Sequence, residues 1–255
     1  MTRIISVVSG KGGTGKTTVT SNLGKALSDI GEEVLLIDAN LSGANLSQHY
    51  GVNNQGVTLN HVLDGEAFIT QAVYKSKGIS IIPASIMDFR QDPYQLKYLL
   101  YEFIGEKDFI LIDAAAGINR EVEAAIDASD EVLIVTEPEM TSITNAIGAL
   151  DVAREKRKLV TGVIVNNRRN EPSELSKDDV ENILESRVIG EMPDHRRVRE
   201  SIVMNEPVVS YSPASKPAKK MKDIAYEISD LERPNKGLMD SISPYIEEFK
   251  SLFSL

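Results

Sequence analysis

Between the apolar run Ile4-Ile5-Ser6-Val7-Val8 and a segment of helical apolar spacing lie ten residues, Ser9-Gly10-Lys11-Gly12-Gly13-Thr14-Gly15-Lys16-Thr17-Thr18. A strand that gives way to a helix through so many glycines leaves few folds open. Gly10, Gly12, Gly13 and Gly15 are expected to adopt the φ > 0 turns that aim successive backbone N–H groups at an anion, with the positive end of the following helix behind them. The spacing fits G-x-x-x-x-G-K-[ST] residue for residue, in the strand-to-helix setting that this motif requires. On that reading residues 10 to 18, including Thr14 and Thr18, cradle a polyphosphate. Lys16 reaches its β- and γ-phosphates, and the Thr17 hydroxyl holds Mg2+. The bland alternative is a glycine-rich turn without a ligand.

Short β-branched runs at 3–8, 34–38, 79–82, 109–113, 131–136, 161–166 and 187–190 alternate with helical patterns at 17–30, 93–104, 120–128, 140–154 and 215–231. This βαβ rhythm predicts an α/β fold, a mostly parallel sheet with helices on both faces, whose ligands bind beyond the carboxyl ends of the strands. With 255 residues, the chain can bury one full core, expected over residues 1–232, followed by a linker and a short C-terminal helix over 233–255. The absence of cysteine from the sequence excludes disulfides, a thiolate zinc site and an iron–sulfur cluster. The net charge of −10 argues against a uniformly nucleic-acid-coated surface. No leader pattern opens the chain and no apolar run is long enough to span a bilayer, so the expected location is the cytoplasm. His49, His61 and His195 have no metal-ligand spacing and read as surface or packing residues.

Two predicted strands end in aspartate, Val34-Leu35-Leu36-Ile37-Asp38 and Phe109-Ile110-Leu111-Ile112-Asp113. Beside a phosphate loop, Asp38 and Asp113 suit a Mg2+ site, because the cation demands oxygen ligands and keeps waters that carboxylates can orient. Singly, each could equally be a turn or cap residue.

The opening Lys11, the pair Asp38-Ala39-Asn40 and Ile112-Asp113-Ala114-Ala115-Ala116-Gly117 resemble the MinD/ParA group of deviant phosphate-loop ATPases, with archaeal MinD-like proteins nearest in pattern. The likeness extends through Leu41-Ser42-Gly43-Ala44-Asn45-Leu46, similar to that group's first switch segment. It implies a phosphate-loop NTPase fold of the MinD/ParA (SIMIBI) type, with ATP and Mg2+ as ligands. It also implies a nucleotide-sandwiched homodimer in which Lys11 reaches the partner's phosphates. By the same likeness, Lys11 and Lys16 would stabilise charge on the transferring phosphoryl, Asp38 and Asp113 would orient Mg2+ waters, and Pro193 and Asp194 would flank the purine.

Asn166 follows a late strand, and its amide could read the adenine edge or merely cap a turn. No Lys-Asp signature of a guanine pocket is present, which favours ATP. Two departures stand out. Asn40 occupies the second position of the usual Asp-x-Asp, and an amide positions water but is a far poorer base than a carboxylate, so slow hydrolysis is expected. Ala115 stands where proline is common, which loosens a turn whose φ would otherwise be fixed.

The expected function is a MinD-like Mg-ATP switch that organises another cellular structure in space through a protein partner. The alternatives are a ParA-like DNA partition ATPase, resting on the basic clusters at 154–158, 168–169, 196–199 and 219–222, and a nucleotide-dependent scaffold with little turnover. After Ser243-Pro244, Tyr245, Ile246, Phe249, Leu252 and Phe253 form one apolar stripe at helical spacing. The family likeness offers membrane docking for residues 244–255. Glu247 and Glu248 oppose it, since interfacial helices usually present a basic face to anionic lipid, and docking on protein is the other reading.

Overall fold

A computed structural model describes residues 1–52, 56–85 and 92–232. The buried apolar runs become the parallel strands that uninterrupted β-branched sequence favours when both faces of a sheet are covered. Strands β1 (Arg3–Ser9), β2 (Val34–Asp38), β3 (Tyr74–Ser76), β4 (Ile79–Ile82), β5 (Phe109–Ala116), β6 (Glu131–Thr136), β7 (Leu159–Arg168) and β8 (Val188–Pro193) form one sheet, ordered β3-β4-β2-β5-β1-β6-β7-β8. Only β3 runs antiparallel, paired to β4 at the edge. The helices are α1 (Lys16–Asp29), α2 (Leu59–Leu63), α3 (Leu96–Leu99), α4 (Arg120–Ala128), α5 (Met140–Glu155), α6 (Lys177–Leu184), α7 (Arg196–Val203), α8 (Val208–Tyr211) and α9 (Lys216–Ser229).

Alternate residues along β1 serve opposite layers. Ile4 and Val8 join the apolar cluster under α4 and α5, with Val122, Ile126, Ile143 and Ala146. Ile5 and Val7 join the cluster under α1 and α9, with Leu23, Leu27, Met221 and Ile224. The sheet is therefore covered on both faces, as the alternation of strands and helices predicts.

Some expectations need correction. Residues 93–104 are not one α-helix: 3-10 turns at Pro93–Gln95 and Leu100–Phe103 flank the short α3. The inward spacing still holds, because Leu96, Leu100 and Phe103 are all buried. The elements β3, α2, α6, α7 and α8 are additions to the predicted set, and the strand predicted at 187–190 runs on to Pro193. The expected linker and C-terminal helix, residues 233–255, lie outside the described residues.

Candidate functional site

Strands β1, β2 and β5 sit side by side and deliver their carboxyl ends to one place, where the loop from β1 turns into α1. In that loop only Gly13 (φ 83°) and Gly15 (φ 81°) take the left-handed conformation. Gly10 and Gly12 do not, which corrects the expectation of a turn at each glycine. Gly10 is required for a different reason: a Cβ there would lie 2.0 Å from the Asn145 carbonyl oxygen, so the loop packs directly on the α5 backbone. On its other side, a Cβ on Gly15 would lie 2.2 Å from Asn166 Nδ2, which donates to the Thr14 carbonyl at 2.7 Å. The loop is thus held between α5 and the end of β7. A Cβ on Gly13 would meet nothing within 4 Å, and the buried Thr14 hydroxyl has no hydrogen-bond partner. An open cradle with an orphaned buried hydroxyl fits an oxyanion ligand.

Asp38 and Asp113 are register partners on β2 and β5, and both are fully buried. Asp113 accepts from Lys16 Nζ at 2.7 Å, from the Thr17 hydroxyl at 2.6 Å and from the Thr20 hydroxyl at 2.9 Å. Asp38 instead accepts from the backbone of the following loop, the N–H groups of Asn40 (3.1 Å), Asn45 (3.0 Å) and Leu46 (3.0 Å). Burial and the adjacent Asp113 carboxylate push the Asp38 pKa up to about 7, against the opposing pull of the Leu46 N–H and Lys16. The assembled donors are carboxylate and hydroxyl oxygens, the set that Mg2+ prefers.

Lys16, Thr17 and Asn45 line a cavity of about 340 Å3 that also reaches Lys11, Asn40 and His49. The Lys11 ammonium is engaged with α5 and the turn before it, donating to the Ser142 hydroxyl at 3.1 Å and pairing with Glu137 at 3.5 Å. Asn40 Nδ2 donates to the Gly43 carbonyl at 2.7 Å, closing the loop after β2 on itself. His49 is buried with Nδ1 3.3 Å from the Ser21 hydroxyl, and burial holds its pKa below the usual value. The other two histidines cap helices: His61 with Thr58 at the start of α2, and His195 accepting from the Arg197 N–H at the start of α7.

A second cavity, about 260 Å3, adjoins the first across Gly15, Thr18 and Ile202. Asn166, Met192, Pro193, Asp194 and Val198 line it, so the residues expected around the base do converge. Asp194 is not free, however. Its carboxylate accepts from Arg169 Nε at 3.1 Å and from Arg199 Nη1, and these bonds hold it below the usual carboxylate range despite partial burial. Asn167, beside Asn166, donates to the same Glu137 that faces Lys11, at 2.8 Å. Thr20, Glu137, Arg169 and Arg199 are site residues that sequence reasoning missed. Arg169 and Arg199 carried a signal, since both fall in the basic clusters at 168–169 and 196–199.

Residues 5–208 match the CobQ/CobB/MinD/ParA nucleotide binding domain. The chain belongs to the MinD/ParA family. One relative in the family, an uncharacterized ATP-binding protein of Methanocaldococcus jannaschii, is 37% identical over 228 residues, covering 88% of this chain and 86% of that protein. The cell division ATPase MinD of Pyrococcus furiosus superposes with a TM-score of 0.86 at 36% identity, over 91% of this chain and 100% of that one. MinD from Pyrococcus horikoshii, solved with Mg-ADP, gives 0.85 at 34% identity, over 89% and 96%. Several arginines of the basic clusters are paired with acids of the same chain. Arg154 pairs with Asp151 and Glu185, Arg168 with Glu174 and Glu191, and Arg196 and Arg197 with Glu200.

Proposed function

We propose that this MinD/ParA-family protein is a Mg-ATP-dependent switch, a nucleotide-binding body over residues 1–232 that dimerises around ATP and hydrolyses it slowly. The observation that carries this reading is the convergence of Lys16, Thr17 and Thr20 on Asp113, at the head of a loop whose open cradle leads into the second cavity. Bound Mg2+, held by Thr17 with Asp38 and Asp113 behind its waters, would neutralise charge on the β- and γ-phosphates. Lys16 would turn from Asp113 to the phosphates, a charge-assisted contact. Gly10, Gly12, Gly13, Gly15 and Thr18 would bring backbone and hydroxyl donors to the same oxygens. Asn166 and Pro193 would meet the adenine. Lys11, released from Ser142 and Glu137, would reach the partner's phosphates across the dimer.

One observation favours a second reading, a nucleotide-dependent scaffold with little turnover. No carboxylate stands at position 40, and the Asn40 amide is tied to Gly43. Under either reading the nucleotide state would control binding of a protein partner that positions a cellular structure.

Calorimetric titration tests the proposal. Mg-ATP should bind better than Mg-GTP, and Lys16→Ala should lower ATP affinity by about ten- to a hundredfold, the loss expected for a hydrogen bond to a charged group. Identical ATP and GTP curves would overturn the base assignment.

A further inference from the structure

Beyond the backbone bond from the Ala39 N–H to the Asp113 carbonyl at 2.9 Å, the side-chain hydrogen bonds between the segments that follow Asp38 and Asp113 come, among the described residues, from one residue. The loop after β2 is fixed locally by Asp38, which gathers the N–H groups of Asn40, Asn45 and Leu46, and by Asn40 and Gly43, each bonded to the other's carbonyl. The segment after β5 is fixed separately: Gly117 N–H donates to the Ser9 carbonyl at 3.1 Å, and Asn119 caps α4 by accepting from the Val122 N–H at 3.0 Å. Between them stands Glu121, in the first turn of α4. Its carboxylate accepts from the Leu41 N–H at 3.1 Å, and the Ser42 hydroxyl lies 3.5 Å from the same oxygen. The Leu41 side chain is buried, so the loop cannot shift at Leu41 without carrying core packing with it. Glu121 is well suited to its place, because a carboxylate in a first helical turn is stabilised by the helix dipole and needs no cation.

We infer that Glu121 is a positioning residue that couples the loop after Asp38 to the segment after Asp113, so that the two respond to the γ-phosphate as one unit. The inference rests on the ATP switch proposed above. The first segment is anchored on Asp38 and the second on Ser9 at the end of β1, so beyond the strands Glu121 is the side-chain link between them. The Leu41–Glu121 bond transmits the displacement of either to the other, which is the physical requirement for an ATP state distinct from an ADP state at both places.

Two measurements on wild type, Glu121→Ala and Glu121→Gln test this. Hydrogen exchange at the Leu41 amide should be about tenfold faster in Glu121→Ala, the effect of losing a hydrogen bond to a charged acceptor, and near wild type in Glu121→Gln, whose amide oxygen still accepts. Binding of a nonhydrolysable ATP analogue relative to ADP, both with Mg2+, should drop by a similar factor in Glu121→Ala and recover in Glu121→Gln, with ADP affinity unchanged. Wild-type exchange at Leu41 in Glu121→Ala would overturn the inference, as would ADP affinity that falls in step with that of the analogue. If the wild type does not distinguish analogue from ADP, the switch itself is wrong, while the exchange measurement still judges the bond.

Discussion

At the scale of single residues, two glycines of one loop are required for opposite reasons, and mutation separates them. Gly10 has no room for a Cβ, because the Asn145 carbonyl would be 2.0 Å away. Gly13 has room but sits at φ 83°. Gly10→Ala should therefore cost about 3 kcal/mol as helix backbone is pushed aside, and Gly13→Ala only about 1 kcal/mol of left-handed strain. Urea unfolding midpoints compare them directly, and equal losses would show that the α5 contact is not what fixes Gly10. Asn40 makes a chemical prediction. Asn40→Asp places a carboxylate beside the first cavity, and phosphate release in the proposed switch should rise by roughly a hundredfold or more, the usual worth of a general base. An unchanged rate would mean that another group positions the attacking water.

At the scale of elements, the second cavity depends on parts far apart in sequence. Pairing of β7 with β8 sets Arg168 opposite Pro193. That register brings Arg169 to Asp194, while α7 brings Arg199 from the other side. The bridge makes Asp194 a strap across the second cavity, where the proposed switch would seat the adenine. Asp194→Ala should weaken ATP binding several-fold and leave pyrophosphate binding unchanged, as measured by titration of each. An equal loss for both ligands would place Asp194 with the phosphates instead. The same elements explain what the sequence could and could not reveal. Both carboxylates were legible because buried parallel strands read as unbroken apolar runs that stop abruptly at an acid, although β5 runs on past Asp113 through three alanines and only Asp38 ends its strand. Helix α7 was legible only at its start, the polar run after Pro193, since Ser201 is its one fully buried residue. Helix α6 buries only Val180 and Leu184, although its capping pair Ser176 and Asp179 was there to be read. Thr20 looked like an ordinary β-branched helix residue, and only the register of β5 beside β1 brings Asp113 to it.

At the scale of the whole molecule, the sheet order places the phosphate loop at its centre, with β5 and β2 on one side of β1 and β6, β7 and β8 on the other. In the proposed switch the phosphate end would therefore be built from one half of the sheet and the base end from the other, with α1 starting between them. Lys11 stands at the front of this arrangement, where its ammonium is held by Ser142 and Glu137. In the proposed switch, ATP exchanges those contacts for the phosphates of a second copy, and ADP, lacking the γ-phosphate, leaves them in place. Sedimentation velocity with Mg2+ and either a nonhydrolysable ATP analogue or ADP tests this account most directly. The analogue should give a dimer and ADP a monomer, with Lys11→Ala binding the analogue yet remaining monomeric. A wild-type protein that sediments identically with both nucleotides would contradict it.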